Sequence, residues 1–80
     1  MISVGYLPED NKAYVDFKGS NRFYDIISAL KRLKYRYNPE EKRWETSPRR
    51  LLQTISDLGD YDDIYFPEEL KAKIEEASQD

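Results

Sequence analysis

The chain has no cysteine and no histidine among its 80 residues. Their absence excludes a disulfide framework, a thiolate or imidazole zinc site, a cysteine nucleophile and a Ser-His triad. Glycine is scarce too: the three present are isolated, and no Gly-Lys-Ser/Thr phosphate loop occurs. No apolar run approaches membrane-spanning length, and the start MISVGYLPED lacks the basic-then-apolar plan of a signal peptide. Asp60, Asp62 and Asp63 cluster in sequence without the spacing or glycine of a calcium loop. These absences lead us to expect a non-catalytic protein with no cofactor, no metal site and no membrane partner. A cytoplasmic setting fits, as does a nucleoid or nuclear one.

What is present is aromatic and unevenly charged. Seven Tyr, three Phe and one Trp give this short chain large side chains to bury, although one so short leaves roughly a third or more of its unfolded surface in water. The formal net charge is −3, but it is not spread evenly. Residues 18–50 hold ten Lys or Arg against Asp25, Glu40, Glu41 and Glu45, a local balance of +6. Residues 51–80 hold Lys71 and Lys73 against nine acids, a balance of −7. A ligand meets the local field rather than the total.

Hydropathy patterning predicts one small α+β domain. ISVGYL and AYVDFK each alternate, and the PEDNK turn between them makes a hairpin. Gly19-Ser20 breaks the pattern, and Ser20 is a fit cap for a helix over about 21–34. Phe23, Ile26, Ile27, Leu30 and Leu33 form one stripe of that helix, and Lys31, Arg32 and Lys34 crowd its last turn. A second hairpin turns at NPEEK, with Tyr35 and Tyr37 expected on one face and Arg36 on the other. Ser47-Pro48 opens a helix that carries Leu51, Leu52, Ile55 and Leu58 and stops at Gly59. DYDDIYF reads as a short edge strand or an ordered loop. PEELKAKIEEASQ is a last helix with a thin stripe of Leu70, Ile74 and Ala77. The expected plan is a small antiparallel sheet in a ββαββα arrangement with a peripheral C-terminal helix. Residues 1–66 form the domain, and 67–80 form a helix or a linker toward a partner or further domain.

The basic segment offers anion chemistry. A helix N-terminus is electropositive and favours Asp or Glu in its first turn, yet this one begins Ser47-Pro48-Arg49-Arg50. Free N–H groups, a hydroxyl and two guanidinium forks suit a phosphate. The competing reading pairs Arg49 and Arg50 with Glu45 or the acidic tail. Lys31, Lys34, Arg36, Lys42 and Arg43 belong to the same helix–hairpin–helix stretch, and together they can neutralise several phosphates if they share a surface. The alternative is a merely solvated charged face. Tyr35, Tyr37 and Trp44 are candidates for stacking on an unpaired base, although a lone Trp is more often a packing group.

The run RYNPEEKRW, with Phe23, Ile26, Ile27, Leu30 and Lys31 before it, resembles small N-terminal accessory domains of superfamily 2 helicases and translocases. The HARP domain of annealing helicases is similar, as are the N-terminal domain of UvsW-type branch-migration helicases and, more distantly, the damage-recognition domain of XPB-type helicases. The likeness covers about residues 20–58. It implies a module for DNA repair or recombination that engages branched or partly single-stranded DNA and assists a separate helicase motor domain. Arg36, Lys42 and Arg43 then match the basic hairpin and Lys31 the basic helix end, while Tyr37, Asn38, Pro39 and Trp44 build the hairpin. Asn38 stands where Asp is commoner, and Glu45-Thr46 is more polar than the pattern. A second expectation is a protein-interaction module that uses the acidic C-terminal segment on a basic partner.

Overall fold

Two hairpins built alike begin the fold. The computed structural model describes residues 1–19 and 21–79. Strands β1 (Ile2–Leu7) and β2 (Lys12–Phe17) pair antiparallel, with Val4 opposite Val15 and Tyr6 opposite Ala13. Strands β3 (Arg36–Asn38) and β4 (Arg43–Thr46) pair antiparallel, with Tyr37 opposite Trp44. Each loop starts with a proline, which presets the first bend. Each ends on a left-handed residue, Asn11 at φ 52° and Lys42 at φ 55°. In the second loop Asn38 Oδ1 accepts from the Glu40 and Glu41 N–H groups at 3.1 and 3.3 Å, which fixes the turn.

The hairpins join through β2 and β4, with Val15 opposite Trp44 and Ala13 opposite Thr46. A short strand β5 (Ile64–Tyr65) adds at the far edge, and the order is β3-β4-β2-β1-β5. Of the two readings of DYDDIYF, short edge strand or ordered loop, a two-residue edge strand is the one present. It runs parallel to β1, with Ile2 opposite Ile64, so the sheet is mixed rather than wholly antiparallel. The reason is the connection. A helix carries the chain from β4 to β5 and returns it to the same end of the sheet, whereas a tight turn would reverse it.

Three helices lie among the described residues: α1 (Phe23–Arg32), α2 (Pro48–Leu58) and α3 (Glu68–Ala77). The period of two along the strands puts Ile2, Val4, Ala13, Val15 and Trp44 into one core with Ile26, Leu30, Leu51, Leu58 and Ile74 of the helices. Across the sheet Ser3, Lys12 and Arg36 are exposed. There the Tyr14 ring lies over Gly5, where a Cβ would overlap it.

The helix limits follow local chemistry. Arg22 occupies the N-cap of α1, and the cap expected at Ser20 lies outside the described residues. The helix stops at Arg32 rather than 34 because Lys34 turns left-handed at φ 71°. The Tyr35 N–H then donates to the Leu30 carbonyl at 2.9 Å and the Lys34 N–H to the Lys31 carbonyl at 3.1 Å. That pairing is the Schellman closure, with a lysine where glycine is usual. Ser47 caps α2 as expected, its Oγ accepting from the Arg50 N–H at 3.2 Å, and Pro48 takes the first helical position. Gly59 ends α2 in right-handed geometry at φ −62°, so its small size matters for space rather than for handedness. Residues 67–79 meet the domain through one deep contact: Ile74 is fully buried among the core residues, and α3 packs on α2 and β1. None of the described helices is long and apolar enough to cross a membrane.

Candidate nucleic-acid interface

At the β3 edge the sheet, the end of α1 and the start of α2 enclose an open groove of about 1060 Å³. Lys31 and Lys34 reach it from α1 and its closing turn, Arg36 from β3 and Arg50 from the first turn of α2. A fifth cation, Lys12, comes from β2. Glu45 is, among the described residues, the one carboxylate residue along the groove. Among the described residues no carboxylate lies within 4 Å of Lys31, Lys34, Arg36, Arg49 or Arg50. The competing reading, which pairs Arg49 and Arg50 with Glu45 or the acidic tail, finds no such pair among the described residues.

Glu45 is engaged within its own hairpin instead. It accepts from Arg43 Nε at 3.0 Å and from Asn38 Nδ2 at 3.1 Å. Burial pushes its carboxyl pKa up, but the Asn38 and Arg43 hydrogen bonds, with the charges of Arg43 and Lys12, bring it below the ordinary value. Arg43 also approaches Glu41 at 3.9 Å and stacks over the Tyr14 ring at 4.4 Å from its centroid. Of the cations singled out in the hairpin, Arg43 is thus committed to the open sheet face and does not line the groove. Arg49 is exposed on the same turn as Arg50 but also stays outside it.

The aromatic candidates separate by burial. Tyr35 is 4% exposed, and its hydroxyl bonds the Thr54 hydroxyl at 2.8 Å. Burial pushes its pKa up to about 12, against the lowering effect of that hydrogen bond and of the nearby Arg50 charge. Trp44 is 8% exposed and packs in the core. Both rings are thus largely buried, Tyr35 showing only an edge of its surface to the groove and Trp44 to a second cleft. Tyr37, on the edge strand, is 49% exposed, and its ring tilts against Trp44 at 5.2 Å between centroids.

A second cleft, of about 430 Å³, lies between α1 and the sheet. Phe23, Ile27 and Lys31 form one wall, at i, i+4 and i+8 on the helix. Asp16, Phe17, Tyr37 and Trp44 line it from the strands, and Lys42 reaches it from the second loop. Lys31 and Tyr37 line both the groove and the cleft, so the two adjoin.

Two participants were hidden from sequence reading. Lys12 stands alone in an acidic N-terminal segment, and only the pairing of β2 with β4 brings it to the groove. Phe23 fits the apolar stripe of α1 yet is 45% exposed, beside Tyr24 at 82%. An end-of-helix position on a narrow domain explains that exposure, and nothing in the periodicity signals it. Asp62, from the acidic cluster, accepts from the Met1 amino group and the Asp63 N–H, each at 2.8 Å. Among the described residues no group of three potential ligands is placed to hold a metal ion. Comparisons of the chain with family models, with characterised proteins and with solved structures find no match.

Proposed function

We propose that this chain is a non-catalytic DNA-binding module that engages the phosphate backbone of branched or partly single-stranded DNA and assists a helicase or translocase motor. One observation carries the reading. Among the described residues, five cations from separate segments line one open groove with a single carboxylate, itself engaged by Asn38 and Arg43. Such a groove favours a polyanionic strand over a neutral or cationic partner. Contacts of this kind read charge and strand geometry rather than base sequence. The link to a motor rests on the likeness of RYNPEEKRW to helicase accessory domains, and a role in repair or recombination follows from the same likeness.

The acidic segment supports a second role on the opposite edge. Asp60, Asp62 and Asp63 lie between α2 and β5, and Glu68, Glu69, Glu75 and Glu76 lie on α3. The groove is at β3, the other end of the strand order. A basic surface on a motor domain or other partner is the complement of that edge.

The test is titration of the whole chain with forked, single-stranded and duplex DNA at low and moderate salt. Binding is expected to favour forked or single-stranded DNA. Paired substitution Arg36→Gln and Arg50→Gln should weaken it about tenfold or more, at roughly one charge-assisted contact each, and leave the melting curve in place. Absence of binding to every form at low salt defeats the proposal.

A further inference from the structure

The aromatic cleft adjoins the groove at Lys31 and Tyr37 and is lined by four rings, those of Phe17, Phe23, Tyr37 and Trp44. Phe23 and Tyr37, about half exposed, stand at its two sides, and each leans on a second ring: Phe23 on Phe17 at 5.3 Å and Tyr37 on Trp44 at 5.2 Å. Its volume, about 430 Å³, falls in the range of about 300–1,000 Å³ typical of small-ligand sites.

The geometry points to the cleft as the seat of a single unpaired nucleobase, from a DNA strand whose phosphates run in the adjoining groove. The inference rests on the DNA-binding reading and adds to it where a base goes. Three observations fix this occupant. Lys31 lines both spaces, so one side chain can hold the phosphate at the point where the strand passes from groove to cleft. Lys42 stands at the cleft as well, against Asp16 as the one carboxylate among its described lining residues, so the cleft keeps a positive balance that suits a strand carrying phosphates better than an apolar protein side chain. A planar base carries its own flanking phosphates and offers a π-face to the rings. Finally, Lys42 holds a left-handed backbone at φ 55° and Lys34, in the groove, one at φ 71°, where glycine or asparagine is the usual choice. Backbone strain of this sort gathers at binding sites, and here both strained lysines face the proposed strand.

Trp44 is the one tryptophan of the chain and lines the cleft, so its fluorescence reports occupancy directly. The experiment compares a short oligothymidylate with an abasic oligomer of the same length at low salt, using the whole chain. The base-bearing oligomer should bind about tenfold more tightly and quench Trp44, as expected for one stacked base. Phe23→Ala should abolish that difference while leaving affinity for the abasic oligomer unchanged. Arg36→Gln, in the groove alone, should weaken both oligomers alike. Equal affinities without quenching overturn the cleft as a base seat and leave the groove reading standing. Binding of neither oligomer overturns both. If the free chain sediments as a dimer that Phe23→Ala dissociates, the cleft is a self-association face and the inference fails. Should Phe23→Ala not fold, the comparison of the two oligomers on the unaltered chain decides.

Discussion

Asn38 shows how much one side-chain amide organises. Its oxygen accepts from two loop N–H groups, and its nitrogen donates to Glu45. An aspartate in its place reproduces the first function and inverts the second. Asn38→Asp sets two carboxylates about 3 Å apart on a hairpin where the Glu45 side chain is 14% exposed. We expect a loss of about 1.5–3 kcal/mol at neutral pH, the usual value of a hydrogen bond to a charged group. The sign with pH follows from Glu45. Its folded pKa is depressed, so its stabilisation is present above the ordinary carboxylate range and fades as pH falls through the folded value. The native chain should therefore lose stability on acidification. The variant should lose less, because one protonated carboxyl can again donate to the other, and the gap between them should narrow below about pH 4. Urea melts of both chains across that pH window check it. A gap constant with pH would show that the Asn38–Glu45 bond is not its source.

Among the elements, the closing turn of α1 is where stability and charge conflict. Tyr35 and Leu30, joined through the Schellman bond, are both buried, so the turn is well anchored. Its left-handed residue is nevertheless Lys34. Lys34→Gly should raise stability by about 1 kcal/mol, since glycine takes that backbone without the Cβ penalty. The same change removes one cation of the groove and should lower DNA affinity. A thermal melt and a titration on one variant test both halves. A variant that is destabilised would refute the strain argument, and one that binds as before would remove Lys34 from the interface. The helix was read from its stripe, and Ile26 and Leu30 are indeed buried. Its end was not legible, because no glycine marks it and the closure depends on Tyr35 finding the core. The stripe of α3 is thin, yet a single fully buried side chain, Ile74, seats that helix.

For the whole molecule, the decisive feature is charge arranged along the sheet. Cations gather at the β3 edge, and acids follow the chain from the end of α2 through β5 and α3 at the other. Net charge conceals this, because the two ends nearly cancel. If all five groove cations contact phosphates, log affinity for single-stranded DNA should fall with log salt at a slope of about −3.5, so that a fourfold rise in salt costs roughly a hundredfold. A slope near zero in a salt titration would mean that whatever binding occurs does not use the groove. The basic character of the middle third was legible from composition. Its division was not: Arg43 turns to Glu45 and Tyr14 on the open face, Arg49 stays outside the groove, and Lys12 arrives from an acidic segment. Each of those placements depends on which strands become neighbours.

Local sequence determined the parts that depend on neighbours in the chain: the alternation of the strands, the two proline-led turns, the Ser47 cap and the α+β class. These are set by backbone geometry and by hydrogen bonds spanning a few residues. Only the tertiary structure decided that β5 runs parallel to β1, that Tyr35 and Trp44 are buried while Phe23 and Tyr37 are not, and that groove and cleft meet at Lys31. Those outcomes rest on contacts between residues far apart in sequence, where a side chain's partners are fixed by packing and not by its own pattern.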